Sequence, residues 1–158
     1  MRSNLNFLFA LLVVILIVTI ALASRGCGGP RVPKFIDPML TVEEAEGRSS
    51  QSGKPVFVVV GADWSGDSDS FKRRTLSDSK LVAFLRANTE PVYFDATRSD
   101  KQDAETLAVM SRLGVSRVPS VVLIRRGQGA DCVEGDVSAA DLLKWLQDSL
   151  KPGAPTGR

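Results

Sequence analysis

The sequence feature that most constrains the fold is the run Val56–Val60, in which every residue is apolar. A strand that is apolar at every position suits burial on both faces of a sheet. The run leads directly into Gly61-Ala62-Asp63-Trp64-Ser65-Gly66-Asp67-Ser68, a polar, glycine-containing turn, and then into a segment with mixed polar and apolar residues. The sequence therefore predicts a buried strand that turns sharply into a helix.

Strand and helix signals alternate along the rest of the chain. Thr41 is placed to cap a helix that ends at Gly53-Lys54-Pro55, Ser77 or Asp78 to cap another, and Ser138 to cap the last. Further strands are predicted at 92–94, 120–124 and 131–134, the last two as a hairpin. One more helix is predicted from an apolar stripe at Ala104, Leu107, Ala108, Met110 and Leu113. This order predicts an α/β domain of three layers, with a central mixed sheet flanked by helices.

The N-terminal region has the composition of a membrane segment. Leu5–Ala23 is almost entirely apolar and would extend about 28 Å as a helix, close to the thickness of a bilayer core. We expect residues 1–23 to be a single-pass anchor with the domain on the extracytoplasmic side of the cell membrane. A signal peptide cleaved after Ala21-Leu22-Ala23, giving a secreted protein, is the alternative. Residues 24–40 read as a linker, 41–150 as the domain and 151–158 as a tail.

Composition excludes several classes of site. The chain of 158 residues contains no histidine, which removes Ser-His and Cys-His catalytic pairs and any histidine-ligated metal. We therefore expect no metal and no cofactor. A net charge of +2 with scattered basic residues gives no reason to expect nucleic acid as a partner. The compact basic clusters Lys72-Arg73-Arg74 and Arg125-Arg126 fit a solvated surface better than a site for an anionic partner, but both interpretations stay open.

Three stretches together resemble the thioredoxin family. They are the Ala62-Asp63-Trp64 lead-in with its four-residue turn, the stretch Gly114–Ser120 with Val118-Pro119 before an apolar strand, and the opening Gly53–Val56. The similarity covers about residues 41–150 and is greatest to the membrane-anchored or periplasmic branch that includes the C-terminal domain of the disulfide-transfer protein DsbD. It implies a thioredoxin-like fold in which Val118-Pro119 is a cis peptide facing the turn.

The chain departs from that family at the reactive turn. Where the family has Cys-x-x-Cys, this sequence has Ser65 and Ser68. A serine hydroxyl does not ionise as a thiol does at a helix N-terminus, and the chain has no histidine to act as its base. We therefore expect no catalytic residue at this corner. Ser65 is expected to cap the following helix, with calcium ligation by Asp63, Ser65, Asp67 and Asp69 as a much weaker alternative.

These considerations favour a redox-inactive domain that binds a peptide or protein partner at a membrane. The expected binding groove consists of Trp64, Ser65, Gly66, Asp67, Val118 and Pro119. A thiol-disulfide oxidoreductase is the alternative, if the two serines replace native cysteines or if Cys132 reacts alone. A purely structural tether in a membrane complex is a third. Cys132 is expected to be a small buried residue, and a disulfide between Cys27 and Cys132 stays open.

Overall fold

The computed structural model describes residues 32–151. The predicted anchor or signal segment 1–23, Cys27 with its possible disulfide, and most of the predicted tail lie outside the described residues. Within the described part of the chain, no helix has both the length and the apolar character that crossing a membrane requires.

Five α-helices, one 3₁₀ helix and four strands form residues 32–151. The helices are α1 (Val42–Ser52), α2 (Gly66–Arg74), α3 (Ser79–Asn88), α4 (Ala104–Leu113) and α5 (Ala139–Ser149), and the 3₁₀ helix is Thr97–Lys101. The strands are β1 (Val56–Gly61), β2 (Glu90–Asp95), β3 (Ser120–Arg125) and β4 (Gly129–Glu134). The predicted alternation of strands and helices is confirmed, and the strands extend one to two residues beyond the predicted ranges.

The four strands form one mixed sheet in the order β2-β1-β3-β4. Strand β1 pairs in parallel with β2, after a crossover through α2 and α3, and antiparallel with β3, while β3 and β4 form the predicted hairpin. Strand β1 has a neighbouring strand at each edge and helices over both faces, so all six of its residues are buried. The prediction of a mixed sheet around a strand buried on both faces is confirmed.

Each face of the sheet carries its own apolar core. On one face α1 and α4 cover Val56, Val58 and Val60 of β1. On the other face α2, α3 and α5 cover Phe57 and Val59. Alternate residues of one strand thus serve two cores, which is the geometry that a continuous apolar run requires.

Side-chain caps set the helix starts. Thr41 accepts from the backbone N–H of Glu44, whose carboxylate accepts from the N–H of Thr41 in return, completing a capping box at α1. Asp78 caps α3, and Ser138 caps α5. Gly53 ends α1 at φ 73°, a left-handed conformation that glycine adopts without steric cost. The predicted caps at Thr41 and Ser138 are confirmed, and of the two candidates for α3 the cap is Asp78.

Two details differ from the sequence expectations. The buried residues of α4 are Thr106, Met110 and Leu113, whereas Leu107 of the predicted stripe is 41% exposed. Met110 and Leu113 of the predicted stripe are thus buried as expected, whereas Ala104, Leu107 and Ala108 are exposed. Within the predicted linker, Ile36 and Leu40 are buried in the two cores, so this part of residues 24–40 packs onto the domain.

Gly61, the last residue of β1, lies close to the side chain of Tyr93, and this contact leads to a testable prediction. An ideal Cβ on Gly61 would lie 2.5 Å from the hydroxyl oxygen of Tyr93, which is buried and has no hydrogen-bond partner among the described residues. We expect Gly61→Ala to lower the free energy of unfolding in urea by about 1–3 kcal/mol, because β1 or the Tyr93 ring must shift. Adding Tyr93→Phe should recover part of that loss.

Gly66→Ala is the matched control. No atom lies within 4 Å of an ideal Cβ on Gly66, which begins α2, so this change should stay within about 0.5 kcal/mol of wild type. Equal effects of the two glycine substitutions would contradict the proposed contact with Tyr93.

Candidate functional site

The corner between β1 and α2 is closed by the hydroxyl of Ser65. Ser65 is the N-cap of α2, and its Oγ accepts from the backbone N–H of Ser68 at 3.1 Å. Its own N–H donates to the carbonyl of Ala62 at 3.2 Å. The side chain satisfies one of the N–H groups that a helix start leaves free, which is why serine is favoured there. The predicted capping role of Ser65 is confirmed.

The second serine of the corner is also used internally. Ser68 is only 1% exposed, and its Oγ accepts from the backbone N–H of Ala62 at 3.3 Å. Each hydroxyl therefore accepts one backbone N–H of the turn: Ser65 accepts that of Ser68, and Ser68 accepts that of Ala62. Both oxygens serve the backbone of the turn, and Ser65 itself is only 9% exposed.

Trp64 projects from this turn toward solvent. Its side chain is 52% exposed, and its indole N–H donates to the backbone carbonyl of Thr97 at 3.0 Å. The Thr97 hydroxyl oxygen in turn accepts from the N–H of Asp63 at 3.0 Å. Thr97 is itself fixed by Asp95, whose carboxylate accepts from both its N–H and its hydroxyl. The loop after β2 thus holds the exposed tryptophan in one orientation.

The loop with Pro119 reaches the same end of the sheet. Val118-Pro119 is a cis peptide, as the family resemblance implied. Val60 of β1 pairs with Ser120 of β3, so the chain enters β3 beside the point where β1 leaves the sheet. Pro119 is buried and Val118 half-buried, while Gly66 and Asp67 are exposed. The register therefore brings both halves of the expected groove to one edge.

Glu134 fixes the Pro119 loop from β4. Its carboxylate accepts from the N–H and the hydroxyl of Ser116, at 2.8 and 2.9 Å, and from Nε of Arg117 at 3.1 Å. These bonds, with that from the Ser116 N–H contributing most, hold the pKa of Glu134 below its ordinary value. The N–H of Gly135 also donates to the carbonyl of Pro119 at 2.7 Å. Sequence reasoning missed Glu134, because the contact joins residues 17 and 18 positions apart.

The charges around α2 are largely paired. Lys72 contacts Asp69 at 3.0 Å, and this contact lowers the pKa of Asp69. Arg73 also lies near Asp69, and Arg74 pairs with Asp136. Two carboxylates thus offset most of the charge of the first basic cluster, with Lys72 and Arg73 sharing Asp69.

The ring of Tyr93 lies 5.9 Å from the Lys72 nitrogen, beneath the corner. Burial is the main cause that raises the pKa of its hydroxyl, and Asp95 adds to the shift. Tyr93 therefore stays neutral at physiological pH, so it adds no negative charge below the two serines.

Metal binding finds no support at the corner. Across residues 32–151, no group of three or more His, Cys, Asp or Glu side chains is placed to hold a metal ion. In the calcium alternative, Asp69 would be a ligand, but it is paired with Lys72, and the Ser65 oxygen is engaged by the backbone of α2.

Cys132 corrects a sequence expectation. It was predicted to be buried, but it is a free thiol on the exposed face of β4. Cys132 pairs with Val122 on the sheet face that α1 and α4 cover, but no residue of β4 belongs to that core, so the helices leave this face of β4 uncovered. Partial desolvation, with a smaller effect of Glu134, raises the pKa of the Cys132 thiol, which disfavours the reactive thiolate.

A comparison with protein families adds to this geometry. A family profile described as a thioredoxin-like domain matches residues 42–150. The chain belongs to the thioredoxin-like family. A search of curated proteins found no significant match.

Solved structures share the fold of this thioredoxin-like domain. A thioredoxin from Thermus thermophilus is 20% identical, with a TM-score of 0.59, over 72% of this chain and 87% of that one. An oxidoreductase named DsbH is 17% identical, with a TM-score of 0.58, over 81% and 97%. The C-terminal domain of DsbD from Neisseria meningitidis, in its oxidised form, is 20% identical, with a TM-score of 0.52, over 65% and 86%. These identities support a common fold and say nothing of shared chemistry.

The Glu134 contacts predict a specific pH dependence. Its folded pKa lies below the unfolded value, so its ionised form stabilises the domain at neutral pH, and this stabilisation is lost as pH falls below 4.5 through the folded pKa. We expect Glu134→Gln to be less stable than wild type at pH 7, with the gap narrowing in acid. Urea unfolding at a series of pH values measures this difference.

Glu105→Gln, which removes the same charge from the exposed first turn of α4, controls for net charge. A gap between wild type and Glu134→Gln that stays constant from neutral to acid pH would contradict the assigned role of the carboxylate.

Proposed function

We propose that this thioredoxin-like domain is redox-inactive and binds an extended peptide or protein segment at the corner, tethered to a membrane through residues 5–23. The single observation that carries the proposal is the internal use of both corner hydroxyls. The Ser65 and Ser68 oxygens accept backbone N–H groups within the turn. Neither has an imidazole available as a base, because the chain has no histidine. Dithiol exchange also requires sulfur at these positions.

What remains at the corner is suited to recognition. Trp64 presents a half-exposed aromatic surface whose N–H is already satisfied by Thr97, so a partner can cover the ring without leaving a buried donor unpaired. Tryptophan is among the residues that most often dominate binding energy at interfaces. Because Thr97 and Asp95 fix its orientation, little side-chain entropy remains to be lost on binding.

The opposite side of the groove is also preorganised. Glu134 and Gly135 fix the loop that contains Val118 and Pro119 before any partner arrives. Such a loop can pair with an extended peptide by strand addition, while Trp64 provides a side-chain contact. A peptide lying between the two loops is therefore the partner that this surface fits best.

Two alternatives remain. One structural neighbour is described as an oxidoreductase, and another was solved in oxidised and reduced forms. A dithiol enzyme is therefore the alternative function if Ser65 and Ser68 replace native cysteines. Cys132 acting alone is disfavoured by its raised pKa. A structural tether without groove binding is the remaining alternative.

Replacing both corner serines by cysteine tests whether the fold at this corner can still support dithiol exchange. In a Cys132→Ser background, we expect the protein that keeps Ser65 and Ser68 to reduce insulin disulfides no faster than buffer does. The Ser65→Cys/Ser68→Cys variant should gain turnover. The reason is that the start of α2 stabilises a thiolate at position 65, and a second thiol resolves the mixed disulfide. Ser65→Cys alone is the control, since it lacks the resolving sulfur. Turnover well above buffer by the wild-type chain would refute redox inactivity.

Groove binding has its own test. Full-length protein in detergent is used to capture partners from solubilised membranes, and each captured partner is titrated against wild type and Trp64→Ala. We expect affinity to fall by about tenfold or more, which corresponds to loss of an aromatic anchor worth at least about 1.4 kcal/mol. Leu107→Ala removes another exposed apolar side chain, on α4, and should leave affinity unchanged. Equal capture by Trp64→Ala and wild type would support the tether instead.

A further inference from the structure

A second concave surface lies at the other end of β1. It is a pocket of about 290 Å³ between the C-terminal ends of α1 and α5 and the turn that joins β3 to β4. The register pairs Val56 with Ile124, so this pocket lies where β1 begins, whereas the Ser65 corner lies where β1 ends. Six residues of extended strand separate the two by about 20 Å.

The lining of the pocket is basic. Lys54, Arg125, Arg126 and Lys151 contribute to it, and no acidic residue does. Two of these cations are offset: Arg125 pairs with Asp131, and Lys151 with Asp148. Lys54 and Arg126 have no carboxylate oxygen at salt-bridge distance among residues 32–151, although the Lys54 ammonium donates to the carbonyl of Arg86 at 3.4 Å. The pocket thus keeps two positive charges that the described part of the protein does not neutralise.

Arg125 contributes a buried hydrogen-bond donor to the lining of the pocket. Its side chain is only 10% exposed, with one terminal nitrogen donating to the carbonyl of Ser149 and the other to Asp131. Its Nε is buried and has no hydrogen-bond partner among the described residues. An unpaired buried donor is unfavourable, so an acceptor that reaches Nε relieves that cost.

The C-terminal ends of α1 and α5 repel an anion in the pocket less strongly than their helix dipoles alone would. The C-termini of α1 and α5 carry partial negative charge on free carbonyls. Here the carbonyl of Ser49 accepts from Gly53, that of Ser149 from Arg125, and that of Lys54 from the Ser49 hydroxyl. These three acceptors already have donors, which lessens their repulsion of an anion and leaves the cationic side chains to attract it.

We propose that this pocket binds a phosphate-type oxyanion, carried by a small phosphorylated molecule or by an anionic lipid headgroup. Guanidinium groups match the geometry of phosphate oxygens, and a lysine adds a point charge. The Lys72-Arg73-Arg74 cluster differs, since all three of its cations lie within salt-bridge distance of a carboxylate, two of them of the same Asp69. Arg125-Arg126 lines a pocket in which two positive charges have no carboxylate partner among residues 32–151.

The test uses the full-length chain in neutral detergent, with inorganic phosphate as the first probe. Titration followed by amide NMR should give saturating shifts at residues 53–54 and 125–128. Lys54→Gln/Arg126→Gln should raise the dissociation constant by about tenfold or more, because it removes two charged hydrogen-bond donors. Arg125 is left in place, since its removal would leave Asp131 buried without a partner.

Lys80→Gln/Lys101→Gln removes the same charge from exposed positions outside the pocket and should bind phosphate as wild type does. A second arm measures how much protein floats with vesicles of phosphatidylglycerol in phosphatidylcholine, compared with vesicles of phosphatidylcholine alone. Wild type and both double variants are measured in this way. Pocket-dependent binding in either arm supports the proposal and identifies the source of the anion. Shifts spread over all basic residues, or equal losses in both double variants in both arms, would overturn it.

Discussion

The hydrogen bond from the N–H of Ala62 to the hydroxyl of Ser68 is the contact on which the candidate site depends. With the bond from the Ser68 N–H to Ser65, it closes the turn between β1 and α2 using oxygen alone. The turn therefore needs no disulfide to hold its shape. In both bonds the serine oxygen accepts a backbone N–H. The two hydroxyls therefore hold the shape of the turn, at the positions where the family has its reactive sulfurs.

Strand β1 sets the positions of both sites. Because it is apolar throughout and buried on both faces, helices must cover it from two sides, and its two ends become the places where loops converge. At the Gly61 end, the parallel partner supplies Thr97 and the antiparallel partner supplies Pro119. At the Val56 end, the same pairing brings Arg125 beside the C-termini of two helices. The pairing of one strand thus explains why the proposed groove and the basic pocket lie at opposite ends of β1.

Local signals made much of the fold predictable. Caps at Thr41 and Ser138, the apolar run of β1 and the Val118-Pro119 stretch all act within a few residues. Thr97 and Glu134 were missed because they act on residues distant along the chain, although Asp95-x-Thr97 has the pattern of a side-chain turn. The burial of Cys132 was wrongly predicted because residue type does not show that the helices on its face of the sheet stop short of β4.

The unfolding free energy of Ser68→Ala is the most direct test of this account. Removing the hydroxyl leaves the N–H of Ala62 buried without its acceptor, so a loss of about 1–3 kcal/mol in urea is expected. Ser70→Ala, in the middle of the same helix, should be neutral or slightly stabilising, because alanine is the better helix former. If Ser68→Ala were as well tolerated as Ser70→Ala, the hydroxyl would not hold the corner and the structural role assigned to both serines would fail.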